Sequence, residues 1–116
     1  MLEPINKNFY LYKGADFNLR FRLYKNGIAA DFTGKQLTFK AVDSVTGTLA
    51  INKSLTGSPS GITYDSATGV VQMRLAHTAT AAITNTRLIY ELELQNDAGG
   101  YDRVMQGAIE CYAGIA

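Results

Sequence analysis

The sequence predicts an all-β domain, an antiparallel sandwich with one short helical turn. Three observations carry that reading. Apolar and polar residues alternate with a period of two, turn-forming clusters separate the alternating runs, and only one short segment lacks β character. The first run sets Phe17, Leu19, Phe21 and Leu23 against Asn18, Arg20, Arg22 and Tyr24. Leu88, Tyr90, Leu92 and Leu94 alternate in the same way with Ile89, Glu91, Glu93 and Gln95. Leu37, Phe39 and Ala41 alternate with Thr38 and Lys40, and Val71, Met73 and Leu75 with Gln72 and Arg74. Neighbouring side chains of a strand point to opposite faces, so each run describes a strand with one buried face. Strands are expected near 9–12, 16–24, 36–42, 49–54, 62–64, 70–75, 88–95 and 102–112.

The breaks between runs have turn chemistry. Asn26-Gly27 tolerates the positive φ of a tight hairpin. Phe32-Thr33-Gly34, Val45-Thr46-Gly47, Asp65-Ser66-Ala67-Thr68-Gly69 and Asn96-Asp97-Ala98-Gly99-Gly100 supply the others. Leu55 to Gly61 is polar and Gly/Ser/Pro-rich, a flexible loop. His77 to Ile83 suits a single helical turn with Thr78 as its N-cap, placed to carry the chain from one sheet to the other.

A length of 116 residues leaves room for one domain. It divides into an N-terminal arm (1–8), the sandwich (9–112) and a tail (113–116). Charged residues are only 18% of the chain and the net charge is +1, with no block of Lys or Arg. Nucleic acid and anionic membrane favour basic stripes, so neither is expected as a partner. The N-terminus lacks the apolar core of a signal peptide, and no apolar run is long enough to span a bilayer. The single cysteine, Cys111, lies in an apolar stretch and reads as a buried, inert thiol, compatible with synthesis in a reducing cytoplasm.

Catalytic equipment is not legible, and the chain is expected not to be an enzyme. One histidine, His77, and one cysteine offer no metal-ligand spacing, so no metal or other cofactor is expected. Asp97 and Asp102 flank a glycine turn without the alternating oxygen ligands of a calcium loop. No nucleophile elbow or phosphate-cradling loop is present. Glu91 and Glu93 share the outer face of one strand, where cross-strand pairing with Arg20, Arg22 or Arg103 accounts for them.

The interface candidates are tyrosines and chain ends. Tyrosine offers a flat apolar ring and a polar tip, which suits interface anchoring or stacking on a sugar. Tyr90 is expected in the core, and the other tyrosines half-buried at strand ends. Tyr10, Tyr12 and Tyr24 are the anchor candidates, with Leu2, Pro4 and Ile5 of the arm and Ile115 of the tail, which a free arm would leave in water. These residues are expected to dock on a neighbouring subunit, the alternative for the chain ends being that they fold back on their own sandwich or fray.

The order of elements resembles the N-terminal domain of phage baseplate upper proteins and related small tail modules. Gly14-Ala15-Asp16-Phe17 opens the strand that continues through Leu19, Phe21 and Leu23. The Asn26-Gly27 turn, Asp31-Phe32-Thr33-Gly34, Leu37-x-Phe39 and Gly69-Val70-Val71-x-Met73-x-Leu75 follow. A Thr-rich helical turn, Tyr90-x-Leu92-x-Leu94, the Asp97-Ala98-Gly99-Gly100 turn and Gly107-Ala108-Ile109 complete the order. The resemblance spans about residues 9–112 and implies an immunoglobulin-like sandwich. It implies a structural virion protein of a tailed phage, a tail, baseplate or neck adaptor. Such a protein is made in the host cytoplasm and contacts other virion structural proteins or further copies of itself. It implies no catalytic residues. Such domains lead into a larger C-terminal part, whereas this sequence stops at Ala116, so a head-decoration protein is the alternative expectation. A carbohydrate-binding module is the alternative from a different class.

Overall fold

The computed structural model describes residues 5–22, 24–25, 28–29, 34–56, 61–96 and 98–113. Among these described residues, eleven strands and one short helix follow in chain order: β1 (Ile5–Asn6), β2 (Phe9–Tyr12), β3 (Phe17–Arg22), β4 (Tyr24–Lys25), β5 (Ile28–Ala29), β6 (Leu37–Asp43), β7 (Leu49–Ser54), β8 (Ile62–Asp65), β9 (Val70–Leu75), α1 (His77–Ala81), β10 (Arg87–Gln95) and β11 (Tyr101–Tyr112). The described residues of every alternating run lie in strands, and the fold is all-β.

The strands form a six-stranded sheet, a three-stranded sheet and a small hairpin. In the large sheet the order is β1–β11–β10–β6–β7, with β2 also on β11, and the small sheet runs β3–β9–β8. The β4–β5 hairpin pairs Tyr24 with Ala29 and Lys25 with Ile28. The residues between them, Asn26 and Gly27, lie outside the described residues, as do Leu23, residues 30–33 and residues 57–60 of the polar loop.

One core joins the two main sheets. Phe17 and Leu19 of β3, Ile62 of β8, and Val71, Met73 and Leu75 of β9 enclose it from one side. Leu37, Phe39 and Ala41 of β6, Leu88, Tyr90 and Leu92 of β10, Ile109 and Cys111 of β11 and Leu11 of β2 enclose it from the other. Burying a large side chain of this kind stabilises by roughly 1.5–3 kcal/mol. Phe9 bridges the layers, with its ring 6.2 Å from that of Phe17 and 5.4 Å from that of Tyr90. Tyr90 in turn stacks on Phe39 at 5.2 Å.

The large sheet is not wholly antiparallel, as the sequence had suggested. Both N-terminal strands run parallel to β11, with Ile5 opposite Met105 and Phe9 opposite Ile109. Register is the same on both sides of the interruption at Lys7–Asn8. The ladder is carried across it by Lys7 N–H donating to the Gln106 carbonyl (3.0 Å) and Ala108 N–H donating to Asn8 Oδ1 (3.0 Å). Residues 5–8 are therefore part of the sheet and not a free arm. Two or three apolar residues without periodicity read as unstructured in sequence, but a parallel edge strand takes its energy from main-chain bonds and needs no such pattern.

Two hairpins share a turn. Asp43-Ser44-Val45-Thr46-Gly47 joins β6 to β7, and Asp65-Ser66-Ala67-Thr68-Gly69 joins β8 to β9. In each, the aspartate carboxylate accepts a backbone N–H two residues on, and its carbonyl accepts the glycine N–H. Gly47 and Gly69 both close their turns at positive φ (76° and 75°), where a side chain would be strained.

The helical turn crosses from the small sheet to the large one, as expected, but its cap differs. Ala76 occupies the N-cap position, not Thr78, and has no side-chain oxygen to offer. Asp16 supplies one from across the fold, its Oδ1 accepting His77 N–H at 2.7 Å. Thr80, fully buried, ties the same corner together. Its hydroxyl donates to the Ala15 carbonyl (2.7 Å) and accepts Gly14 N–H (3.1 Å).

Candidate functional site

The parallel pairing of β2 with β11 sorts its side chains by face. Leu11 lies opposite Cys111, and both point into the core. Tyr10 and Tyr12 therefore point outward, and Tyr12 lies opposite Tyr112. The three rings form a stack in which Tyr112 is the common member, 5.9 Å from Tyr10 and 5.8 Å from Tyr12, with interplanar angles of 25° and 28°. With Ala113 they line a shallow depression. Rings at these distances attract one another, which organises the cluster without a ligand.

The cluster is open to solvent. Tyr10, Tyr12 and Tyr112 are 61%, 57% and 46% exposed, so Tyr112 is about half-buried, as expected for a strand-end tyrosine, while Tyr10 and Tyr12 stand further out. Tyr90 is the core tyrosine, as expected, and burial pushes its phenol up to about 12. Beside the rings, β2 pairs with β11 alone among the described residues, so the cluster stands at a sheet edge. The edge is short. Lys13 N–H donates to the Tyr112 carbonyl and Ala15 N–H to the Tyr12 carbonyl, and the chain then turns into β3.

The interface candidates read from sequence fall in three groups. Tyr10 and Tyr12 belong to the cluster. Ile5 is 53% exposed but stands in β1, beside Met105 of its own chain. Leu2, Pro4 and Ile115 lie outside the described residues, as does the side chain of Tyr24. Tyr112, which the sequence does not set apart from the other strand-end tyrosines, completes the cluster. Tyr10-x-Tyr12 is visible as a spacing, whereas the approach of Tyr112 depends on a parallel register a hundred residues away in sequence.

Next to the rings, the outer face of the large sheet carries ion pairs around an exposed Ile89. Arg87 meets Glu110 at 3.1 Å, and Arg103 meets Glu91 at 2.8 Å. Arg103 also donates to Gln106, which donates to Asn6 of β1. Of the cations expected to pair with Glu91 and Glu93, Arg103 does so with Glu91, while Arg20 and Arg22 belong to β3 of the other sheet.

His77 is mostly exposed and stands 3.4 Å from Asp16, whose other oxygen meets Arg74 at 2.8 Å. The Arg74 guanidinium, with the His77 backbone N–H, holds the Asp16 carboxyl below its ordinary range. The geometry makes Asp16 a clasp between β9, α1 and the turn before β3. Cys111 is buried, and burial pushes its thiol up, away from the thiolate that reactivity needs. Among the described residues no three His, Cys, Asp or Glu side chains gather as metal ligands, and no helix is long and apolar enough to cross a membrane. No family model matches the chain, and no curated protein matches it.

Proposed function

We propose that this chain is a structural subunit of a tailed-phage particle, a tail, baseplate or neck adaptor that acts through protein–protein contacts. The observation that carries the contact mechanism is the exposed stack of Tyr10, Tyr112 and Tyr12 beside the edge of β2. Tyrosine is enriched at protein interfaces because its rigid ring buries much area at low entropic cost. The resemblance of the sequence order to baseplate upper N-terminal domains supports the particle, and the immunoglobulin-like relationship it implies belongs to the same proposal. A head-decoration role would use the same surface. Other virion structural proteins are the partners, or further copies of this chain arranged by particle symmetry. The test is to assemble particles with a tagged copy and purify them on a density gradient. The proposal expects the tagged chain to sediment with intact particles in fixed stoichiometry, and a chain left wholly at the top of the gradient contradicts it.

The exposed rings also favour a second reading, a carbohydrate-binding module, since tyrosine faces stack on sugars. That reading expects tyrosine fluorescence to change on titration with oligosaccharides and Tyr12→Ala to remove the change.

A further inference from the structure

We infer that the tyrosine stack is a site of internal oxidative cross-linking, in which Tyr112 of β11 couples to Tyr12 or Tyr10 of β2 as dityrosine. The inference goes beyond the proposed function and concerns the chemistry of the isolated chain. Coupling of two phenols needs the rings exposed to an oxidant and held close together before oxidation. Both conditions are met here and at no other described ring pair. Tyr10, Tyr12 and Tyr112 are about half exposed or more, and their rings are already in contact at 5.8–5.9 Å. The other described ring pairs each include Phe9 or Phe39, and their one phenol, Tyr90, is fully buried with its proton held by the Lys7 carbonyl.

The co-reactant is a one-electron oxidant. Two oxidant equivalents each remove one electron from a phenol, and each phenol releases its proton, leaving two phenoxyl radicals. The radicals join through a new carbon–carbon bond between the ring positions ortho to the two oxygens. The two hydrogens on those carbons then move to the oxygens as the rings regain aromaticity. The chain has lost two hydrogen atoms in total, as two protons and two electrons.

The bond has a structural consequence. β2 is held to β11 by main-chain hydrogen bonds at the sheet edge, and a covalent link there closes a loop of nearly the whole chain. Links that close long loops restrict the unfolded chain most, so the cross-linked form resists denaturant better than the free form. The strand at the open edge becomes fixed.

The experiment uses the full chain, dilute, with photo-excited ruthenium tris-bipyridyl and persulfate as the oxidant. The inference expects monomeric product lighter by two hydrogen atoms, with dityrosine fluorescence and a proteolytic peptide that joins Tyr112 to the β2 segment. Its yield is independent of protein concentration. Tyr112→Phe keeps the ring and abolishes the internal link, because Tyr112 is the common member of both pairs. Tyr10→Phe and Tyr12→Phe each leave the other pair competent, and Tyr101→Phe, at the far end of β11, changes nothing. Internal dityrosine at unchanged yield in Tyr112→Phe overturns the inference, as does a product formed only between chains with a yield that rises with concentration. These outcomes are read without particles, so they stand apart from success or failure of the proposed function.

Discussion

The buried phenol of Tyr90 donates its proton to the main-chain carbonyl of Lys7, so that the centre of the core fastens the N-terminal edge strand. Gly107 makes this possible. It lies opposite Tyr90 in the β10–β11 ladder, and a Cβ there would run into the Lys7 carbonyl. Removing the hydroxyl with Tyr90→Phe leaves that carbonyl without its donor, and about 0.5–1.5 kcal/mol of stability should be lost. Gly107→Ala should be worse, by roughly 1–3 kcal/mol, as overpacking against backbone usually is. Denaturant melts of the two variants check both values. Deleting residues 1–7 should lower the melting temperature as well, because it strips the β1 pairing from β11 and the acceptor from Tyr90.

The faces of β10 differ in cost. Leu92 is buried and should cost roughly 2–5 kcal/mol on truncation to Ala, whereas Glu93→Ala, facing outward, should cost under about 1 kcal/mol. Phe21 is only half-buried and packs at the border of the core, so Phe21→Ala should fall below Leu92→Ala. Equilibrium unfolding of the three variants ranks them.

Thr80 should be costlier than its size suggests. Its hydroxyl satisfies the Gly14 N–H and Ala15 carbonyl at the corner that leads from β2 to β3. Thr80→Val keeps the shape and removes those bonds, and a loss of about 1–3 kcal/mol is expected in thermal or denaturant unfolding. Thr78→Ala, at the residue the sequence offered as N-cap, should change little.

Asp43 makes the fold sensitive to acid. Backbone N–H groups of Thr46 and Val45 and the Asn85 amide all donate to its carboxylate, and the Thr46 N–H is the largest of the causes that lower it from 3.8 to about 2. A carboxyl depressed in the folded state adds stability above its unfolded value, and that stability disappears as pH falls from about 3.8 through about 2. Asp43→Asn should flatten the dependence of the unfolding midpoint on pH across that window, with little change in its slope at neutral pH.

Strand positions were legible because burial on one face leaves a period of two, and β6, β9 and β10 show it plainly. β11 hid its details. Val104 and Met105 are buried in succession because the β10–β11 register shifts after Leu92, and Ala108 and Ile109 are buried together beyond Gly107. β1 was invisible, since it is two residues long and held through its backbone. The repeated Asp-Ser-x-Thr-Gly turn was readable as two breaks, but its shared hydrogen-bond plan needed geometry. For the tyrosine stack, local spacing exposed two members, and the third required knowing which strand lies beside β2.

Particle incorporation of a triple serine variant asks whether Tyr10, Tyr12 and Tyr112 form the surface by which the chain joins an assembly. The three rings are exposed, so Tyr10→Ser, Tyr12→Ser and Tyr112→Ser together should leave the β circular dichroism spectrum intact and allow the isolated chain to fold. If the rings are that surface, this folded variant is absent from purified particles, or reduced at least about tenfold against wild type, the effect of roughly 1.4 kcal/mol of lost contact energy. A folded triple variant that enters particles at the wild-type level contradicts it.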